Sequence, residues 1–134
     1  MPILIEYNDS IEGISAEMLE GFFDGWLDPP SPQTHLQILK NSDFVILAVD
    51  RDCSRIIGFI NAISDGILCA YIPLLEVLPE YRRRGIGSEL TGRMLAKLES
   101  LYMVDLLCDS PLQSFYEVRG MSRAVGMMIR GRGL

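Results

Sequence analysis

The feature that most limits what this chain can fold into is the segment 67–101, where an apolar stretch runs through a glycine-containing loop into an amphipathic helix. Residues 67–78 predict a long strand, and Pro73 within it predicts a bulge or splayed pairing because proline cannot donate a ladder hydrogen bond. Apolar residues then recur at helical spacing and predict a helix over 86–100. These residues are Ile86, Leu90, Met94, Leu98 and Leu101. A strand joined to a helix by so short a loop predicts layered α/β packing.

The remaining segments complete a mixed α/β domain. Hydrophobic periodicity and turn residues predict a strand, two helices and a hairpin before this segment, and a strand, a helix and a last strand after it. The predicted strands are 2–7, 43–49, 55–63, 67–78, 103–108 and 122–130, and the predicted helices are 16–27, 34–40, 86–100 and 110–119. A length of 134 residues with 49% hydrophobic residues predicts one compact domain, 1–134.

Composition narrows the expected location and partners. The longest apolar run, 66–75, contains a proline and is shorter than the roughly 20 residues that cross a membrane. The first ten residues have no basic segment and too short an apolar stretch for a signal peptide. Three cysteines without Cys-x-x-Cys spacing predict reduced thiols and a cytoplasmic protein. A single histidine predicts no metal site. A net charge of −6 argues against a nucleic-acid partner.

Charge is distributed unevenly along the chain. Residues 1–66 contain 11 acidic and 3 basic side chains, a net charge of −8, whereas residues 67–134 have a net charge of +2. Four acidic residues three or four positions apart are predicted to share one face of the 16–27 helix and its end. These residues are Glu17, Glu20, Asp24 and Asp28. Two interpretations stay open: the halves serve ligands of opposite sign, or the charges are ordinary solvated surface.

The loop at 81–88 concentrates positive charge in this acidic chain. Arg82, Arg83 and Arg84 stand between the predicted strand and helix, and Gly85 and Gly87 follow them. The first N–H groups of a helix have no intrahelical partners and lie at the positive end of its dipole, so they attract phosphate. Glycines let a phosphate approach the backbone, and arginines add paired donors. The loop therefore predicts a phosphate or pyrophosphate cradle, with a solvated turn that starts a helix as the alternative.

Two common nucleotide-binding motifs do not fit this loop. A P-loop requires Gly-Lys-Ser/Thr, whereas here Gly87 is followed by Ser88 and Glu89. The Rossmann fingerprint requires a third glycine at the position that Leu90 occupies. A phosphate cradle at this loop therefore belongs to neither class.

The stretch 77–90 resembles motif A of the GNAT superfamily of N-acetyltransferases, whose core Arg/Gln-x-x-Gly-x-Gly/Ala is met by Arg82, Gly85 and Gly87. The resemblance implies a mixed central sheet, mostly antiparallel with a splayed parallel pair at the cofactor site, and helices on both faces. It also implies that the loop wraps the pyrophosphate of acetyl-CoA while the preceding strand pairs with the pantetheine arm. The cofactor-binding residues that it implies are Leu75, Val77, Arg82, Arg83, Arg84, Gly85, Ile86, Gly87 and Ser88.

A second segment supports the resemblance. Many members carry Asn-x-x-Ala-x-x-x-Tyr-x-x-x-Gly-Phe, and only Tyr116 and Gly120 match this pattern outright. Asp109, Leu112 and Met121 stand at the other three places. The family's tyrosine typically protonates the leaving CoA thiolate, and the resemblance implies that role for Tyr116. A packed core aromatic is the alternative.

The expected reaction is direct transfer of an acetyl group from acetyl-CoA to a primary amine, which must be neutral to attack. Glu76 is the nearest carboxylate on the strand and the candidate base, although strand alternation also allows it to point away from the cofactor. The acidic half predicts a cationic acceptor, either a small molecule or a protein amine. A non-catalytic acyl-CoA-binding module or sensor is the alternative function. The short segment after Gly120 leaves a homodimer open as an expectation.

Overall fold

The computed structural model describes residues 3–131, so Pro2, the predicted start of the first strand, lies outside the described residues. The strands are β1 (Ile5–Asn8), β2 (Phe44–Asp50), β3 (Arg55–Ser64), β4 (Cys69–Val77) and β5 (Met103–Asp105), and the helices are α1 (Pro32–Lys40), α2 (Ile86–Lys97) and α3 (Gln113–Glu117). Short 3₁₀ turns lie at Ala16–Leu19, Pro79–Tyr81 and Ser110–Leu112. The sheet has the order β1-β2-β3-β4-β5 and is antiparallel except for the β4–β5 pair, which confirms the predicted mixed sheet. None of the helices in residues 3–131 is long and apolar enough to cross a membrane.

Helices cover both faces of the sheet, as the resemblance implies. α2 packs so closely on Gly58 of β3 that a Cβ there would lie 3.1 Å from the Leu90 side chain. The next residue, Phe59, points to the opposite face, where its ring centroid lies 5.2 Å from that of Phe22 and 4.5 Å from that of His35. Because both of its faces are covered, β3 is apolar along most of its length rather than alternating.

The pairing of β4 with β3 shifts in register around Pro73, and beyond Tyr71 β4 is no longer paired with β5. Over the interval 71–74, β4 has one residue more than the paired interval 61–63 of β3, which confirms the predicted bulge. β5 pairs with only the first three residues of β4. Within residues 3–131, no strand pairs with this side of β4 beyond Tyr71, so the backbone polar groups of that edge border an open cleft.

The predicted helix at 16–27 is wrong beyond its first turn. Only Ala16–Leu19 are helical, and the following segment has positive φ at Gly21 (95°), Phe23 (66°) and Gly25 (83°). A right-handed helix requires negative φ, so the chain cannot continue it through these positions. The acidic face predicted for this helix is therefore wrong as well. Its members were Glu17, Glu20, Asp24 and Asp28.

The predicted last strand at 122–130 is also wrong. Residues 121–131 form neither helix nor strand, and Val125, Met127 and Ile129 are more than nine-tenths exposed. A strand here would need a neighbouring edge to pair with, and β5 offers only three residues because it ends at Asp105 rather than at 108. The apolar alternation of this segment consequently has no surface to cover within the described residues.

Candidate active site

The loop between β4 and α2 leaves the first turn of α2 open to a ligand. Gly85 is the N-cap residue in the left-handed region (φ 79°, ψ 9°), and no side chain among residues 3–131 caps the helix. The first bond along the helix joins the Glu89 N–H to the Gly85 carbonyl over 3.0 Å. The N–H groups at 86–88 precede that bond and lie at the positive end of the helix dipole. This end of α2 therefore suits an anion.

The three exposed arginines of this loop have different contacts. Arg82 turns back toward β4, where its Nε donates to the Val77 carbonyl over 3.0 Å. Arg83 has a φ of 66°, a conformation that costs a non-glycine residue about 1 kcal/mol. The Arg84 guanidinium lies 6.0 Å from the centroid of the Tyr81 ring. Arg82 thus fixes the end of β4, whereas Arg83 and Arg84 supply positive charge beside α2.

β4 and α3 form the walls of the cleft in front of this helix end. Leu75 and Val77 pair with the β3 residues that face α2, so their side chains lie on that face of the sheet. A Cβ on Gly87 would lie 4.0 Å from the Val77 side chain and 3.9 Å from the Phe115 side chain of α3. The structure therefore brings the predicted positions 75, 77 and 85–88 to one cleft.

Tyr116 of α3 lies at a cavity of ≈ 990 Å³ that is also lined by parts of α2, β5 and the segment 119–126. Its ring packs edge to face on Phe115, with centroids 4.9 Å apart. Burial raises the pKa of Tyr116 above its usual value of 10.0, Cys108 raises it further and Arg119 partly offsets the rise. The phenol is therefore protonated at neutral pH and can donate a proton.

Glu76 points to the other face of the sheet and holds the 21–26 loop. Its carboxylate oxygens accept hydrogen bonds from the Phe23 N–H at 2.8 and 3.0 Å and from the Asp24 N–H at 3.2 Å. Phe23 is buried and has positive φ, and buried backbone donors at such a bend require an acceptor from elsewhere in the chain. Both oxygens of Glu76 therefore take part in fixing the 21–26 loop.

Arg82 connects the 21–26 loop to the loop before α2. One of its guanidinium nitrogens lies 3.8 Å from the Asp24 carboxylate, while its Nε bonds to the Val77 carbonyl. Both members of this ion pair are about half exposed, so it contributes at most about 1 kcal/mol of stability. Its consequence is geometrical, because it places both loops at the same end of β4.

Arg119 is a residue of this cleft that sequence patterns did not identify. Its guanidinium donates one hydrogen bond to the Phe115 carbonyl and another to Ser88 Oγ in the first turn of α2. It therefore joins the helix that carries Tyr116 to the loop that was predicted to bind phosphate. The sequence feature that could have identified Arg119 is its position, about one helical turn after Tyr116.

Comparisons with known proteins show which family of sequences and structures this chain resembles. The profile of the acetyltransferase (GNAT) family matches residues 11–121. A candidate acetyltransferase from Deinococcus radiodurans R1 is 48% identical with a TM-score of 0.90, and the match covers 94% of this chain and 87% of that one. A GNAT family acetyltransferase from Streptococcus pneumoniae TIGR4 is 27% identical with a TM-score of 0.76, covering 96% and 99%.

More distant structures share the fold. Glucosamine-6-phosphate N-acetyltransferase from Arabidopsis thaliana is 13% identical with a TM-score of 0.70 over 96% of this chain and 99% of that one, a likeness that shows the fold alone. No curated protein matches the sequence significantly. Because the family profile spans most of the chain and the D. radiodurans structure is nearly half identical, this protein belongs to the GNAT family of acetyltransferases.

Proposed function

We propose that this protein transfers the acetyl group of acetyl-CoA to a primary amine. The observation that carries the proposal is the open first turn of α2 beside the unpaired edge of β4. The helix end offers donors to a pyrophosphate, and the strand edge offers backbone partners to the amides of a pantetheine arm. Membership of the GNAT family supports the acetyl-transfer chemistry.

The residues of the cleft would hold acetyl-CoA in two ways. The N–H groups at 86–88 bind the pyrophosphate, with Arg83 and Arg84 adding charge. The backbone at Leu75 and Val77 pairs with the pantetheine amides along the edge that β5 leaves free. Within residues 3–131, no cluster of three or more His, Cys, Asp or Glu side chains offers a site for a metal ion, and the proposal uses none.

Acetyl-CoA supplies a thioester whose carbonyl carbon the neutral amine attacks, so that a C–N bond forms and the C–S bond breaks. Backbone N–H groups at the open edge of β4 are available to the carbonyl oxygen, on which negative charge develops. Tyr116 carries its proton at neutral pH, as a phenol with a pKa at or above the usual value of 10.0 does, and it donates that proton to the departing thiolate.

Glu76 stays our proposed proton acceptor for the amine, and its contacts define a structural test. We expect Glu76→Gln to lower the free energy of unfolding by about 1–3 kcal/mol, because the amide places an N–H group against the backbone donors of Phe23 and Asp24. Urea denaturation measures the change. Glu80→Gln is the matched control, since it alters an exposed carboxylate 3.5 Å from Arg55 and should change stability by less than about 1 kcal/mol.

The base role of Glu76 has a separate kinetic signature. If Glu76 accepts the proton of the amine, the acidic limb of the pH–rate profile disappears in the Glu76→Gln variant. An acidic limb that is unchanged in this variant contradicts the base role while leaving the structural role of the carboxylate intact.

We propose a cationic amine as the acceptor, either a small molecule or a protein amine. The support is the net charge of −8 over residues 1–66. Since these acidic residues do not share one helix face, they attract a cation through their combined electrostatic field. Glu17, Glu20 and Asp28 are exposed, and Asp24 is exposed beside Arg82.

Release of free thiol from acetyl-CoA tests the proposed function. We expect amine-dependent release above background hydrolysis with at least one of spermidine, kanamycin and a lysine-containing peptide. CoA binding by calorimetry without amine-dependent release would favour the alternative, a non-catalytic acyl-CoA-binding module or sensor. The absence of binding heat at millimolar CoA overturns both functions.

We also propose that the protein is a cytoplasmic homodimer. Its three cysteines are unpaired, which suits a reducing compartment. Tyr102, Met103 and Leu107 expose apolar side chains at the β5 edge, which has no further strand beside it in the described part of the chain. Sedimentation equilibrium at micromolar concentration checks this proposal, and a monomer mass contradicts it.

A further inference from the structure

We propose that Arg119 is a further phosphate-binding residue of this protein, reaching from the turn after α3 to the pyrophosphate held at the first turn of α2. The inference rests on the proposed function, because it assumes that CoA binds in the cleft. It adds a side chain that lies outside motif A and follows the second motif's tyrosine by three positions.

The Arg119 guanidinium is held in a fixed orientation. Its Nη1 donates to the Phe115 carbonyl over 2.5 Å, and its Nη2 donates to Ser88 Oγ. Its Cζ lies 3.9 Å from the centroid of the Phe115 ring, so the guanidinium lies against that ring. An arginine fixed in this way loses little conformational entropy when it binds an anion.

In the part of the chain that the structure describes, the charge of Arg119 has no counter-charge beside it. Among residues 3–131, no carboxylate oxygen lies within 4.0 Å of its guanidinium, and both hydrogen-bond acceptors are neutral oxygens. Glu117, the last residue of α3 and two positions before Arg119, instead pairs with Arg123 over 2.9 Å. Arg119 is half-buried, so solvent screens its charge only in part.

The surroundings of Arg119 add to this excess of positive charge. Ser88 is the third residue of α2, so the guanidinium lies beside the uncapped, positive end of that helix. Arg83 and Arg84 precede the same helix end. A phosphate there would neutralise these groups together and would accept from the guanidinium in the place of Ser88 Oγ.

The position of Arg119 favours contact with the pyrophosphate of CoA rather than with its 3′-phosphate. The guanidinium reaches the first turn of α2, where the N–H groups at 86–88 are proposed to bind the pyrophosphate. Binding would also hold α3 against α2, and α3 carries Tyr116 three positions before Arg119. Arg119 would therefore act on affinity for the cofactor rather than on the transferred acetyl group.

Calorimetry with CoA and with 3′-dephospho-CoA tests the inference. We expect Arg119→Met to weaken both ligands by the same factor, about 10-fold to 100-fold, because a charge-assisted hydrogen bond to the shared pyrophosphate is lost. Arg119→Lys keeps the charge and should recover most of the affinity. Arg123→Met is the matched control, since Arg123 already pairs with Glu117, and its dissociation constant should stay within about twofold of the wild-type value.

The outcomes separate this inference from the proposed function. The inference alone is overturned if the wild-type protein and Arg119→Met bind CoA with the same dissociation constant and unfold at similar thermal midpoints. A loss of affinity for CoA but not for 3′-dephospho-CoA also overturns it, because the contact would then be with the 3′-phosphate. No binding of CoA by the wild-type protein overturns the inference and the proposed function together.

Discussion

Replacing Tyr116 with phenylalanine is expected to lower the kcat of acetyl transfer about 100-fold or more while the dissociation constant of CoA changes by less than about twofold. The substitution removes only the phenolic hydroxyl, so the edge-to-face packing on Phe115 remains. Burial raises the pKa of Tyr116, and the hydroxyl therefore carries its proton at neutral pH, as a donor to the CoA thiolate requires. Single-turnover kinetics and calorimetry on the same preparations measure the two quantities.

The same chemical change at a tyrosine far from the cleft provides the control. Tyr7 lies on β1, the strand at the far edge from β5, and Tyr7→Phe should leave kcat within about twofold of the wild-type value. A wild-type kcat in Tyr116→Phe would falsify the acid role and leave Tyr116 as a packed aromatic.

A raised pKa also predicts that the alkaline limb of the wild-type pH–rate profile lies above the usual tyrosine value of 10.0.

The parts of the fold that sequence patterns predicted correctly are those with local causes. Pro73 lacks a ladder donor, and the bulge lies where this residue stands. Gly85 tolerates the left-handed conformation that starts α2, and the helix begins one residue later. The splayed β4–β5 pair followed from the family resemblance rather than from periodicity. It leaves an open edge of β4, and Val77 at this edge lies beside Gly87 of α2.

The 21–26 loop could not be predicted because long-range contacts decide its conformation. Local spacing of apolar residues favoured a helix across 16–27, but Glu76 on β4 accepts the backbone N–H groups of Phe23 and Asp24. Those bonds cross more than 50 positions of sequence, and they stabilise a bend with positive φ at a phenylalanine. Arg119 was missed for a similar reason, since its partner Ser88 lies 31 positions away.

Acidification is expected to destabilise this protein by about 3 kcal/mol through one side chain, His35. His35 is the only histidine, is 1% exposed, and has neither ring nitrogen hydrogen-bonded within residues 3–131. The rings of Phe22, Phe23 and Phe59 surround it with centroids 5.3, 4.8 and 4.5 Å away. Burial lowers the pKa of His35 from 6.5 to about 4, because the imidazolium would lose its hydration there.

The sign of the effect follows from which state binds the proton first. As the pH falls below 6.5 the unfolded chain protonates its histidine, whereas the folded chain does so only near pH 4. The free energy of unfolding is therefore highest above pH 6.5 and falls as the pH approaches 4. The difference between the two pKa values corresponds to about 3 kcal/mol in full, of which about 2 kcal/mol is lost between about pH 7 and pH 5. Phe22 and Phe23 belong to the loop that Glu76 holds, so the charged imidazolium would act directly on that loop.

Urea denaturation of the wild-type protein and of His35→Leu at pH 7 and pH 5 measures this contribution. Leucine is close to histidine in volume and does not titrate. Between pH 7 and pH 5 the free energy of unfolding should therefore fall by about 2 kcal/mol less in the variant than in the wild-type protein. The pKa values of Asp50 and Asp65 are lowered by hydrogen bonds from Tyr81 and from the backbone of the 65–69 turn, and these groups titrate in both proteins. The difference between the two proteins therefore isolates the contribution of the imidazole to the pH dependence of stability.

Because the chain has one histidine, an NMR titration of its ring resonance reports the folded-state pKa without assignment. A value near 6.5, or equal losses of stability in the two proteins, would show that the aromatic cluster admits water to His35 and does not oppose its charge.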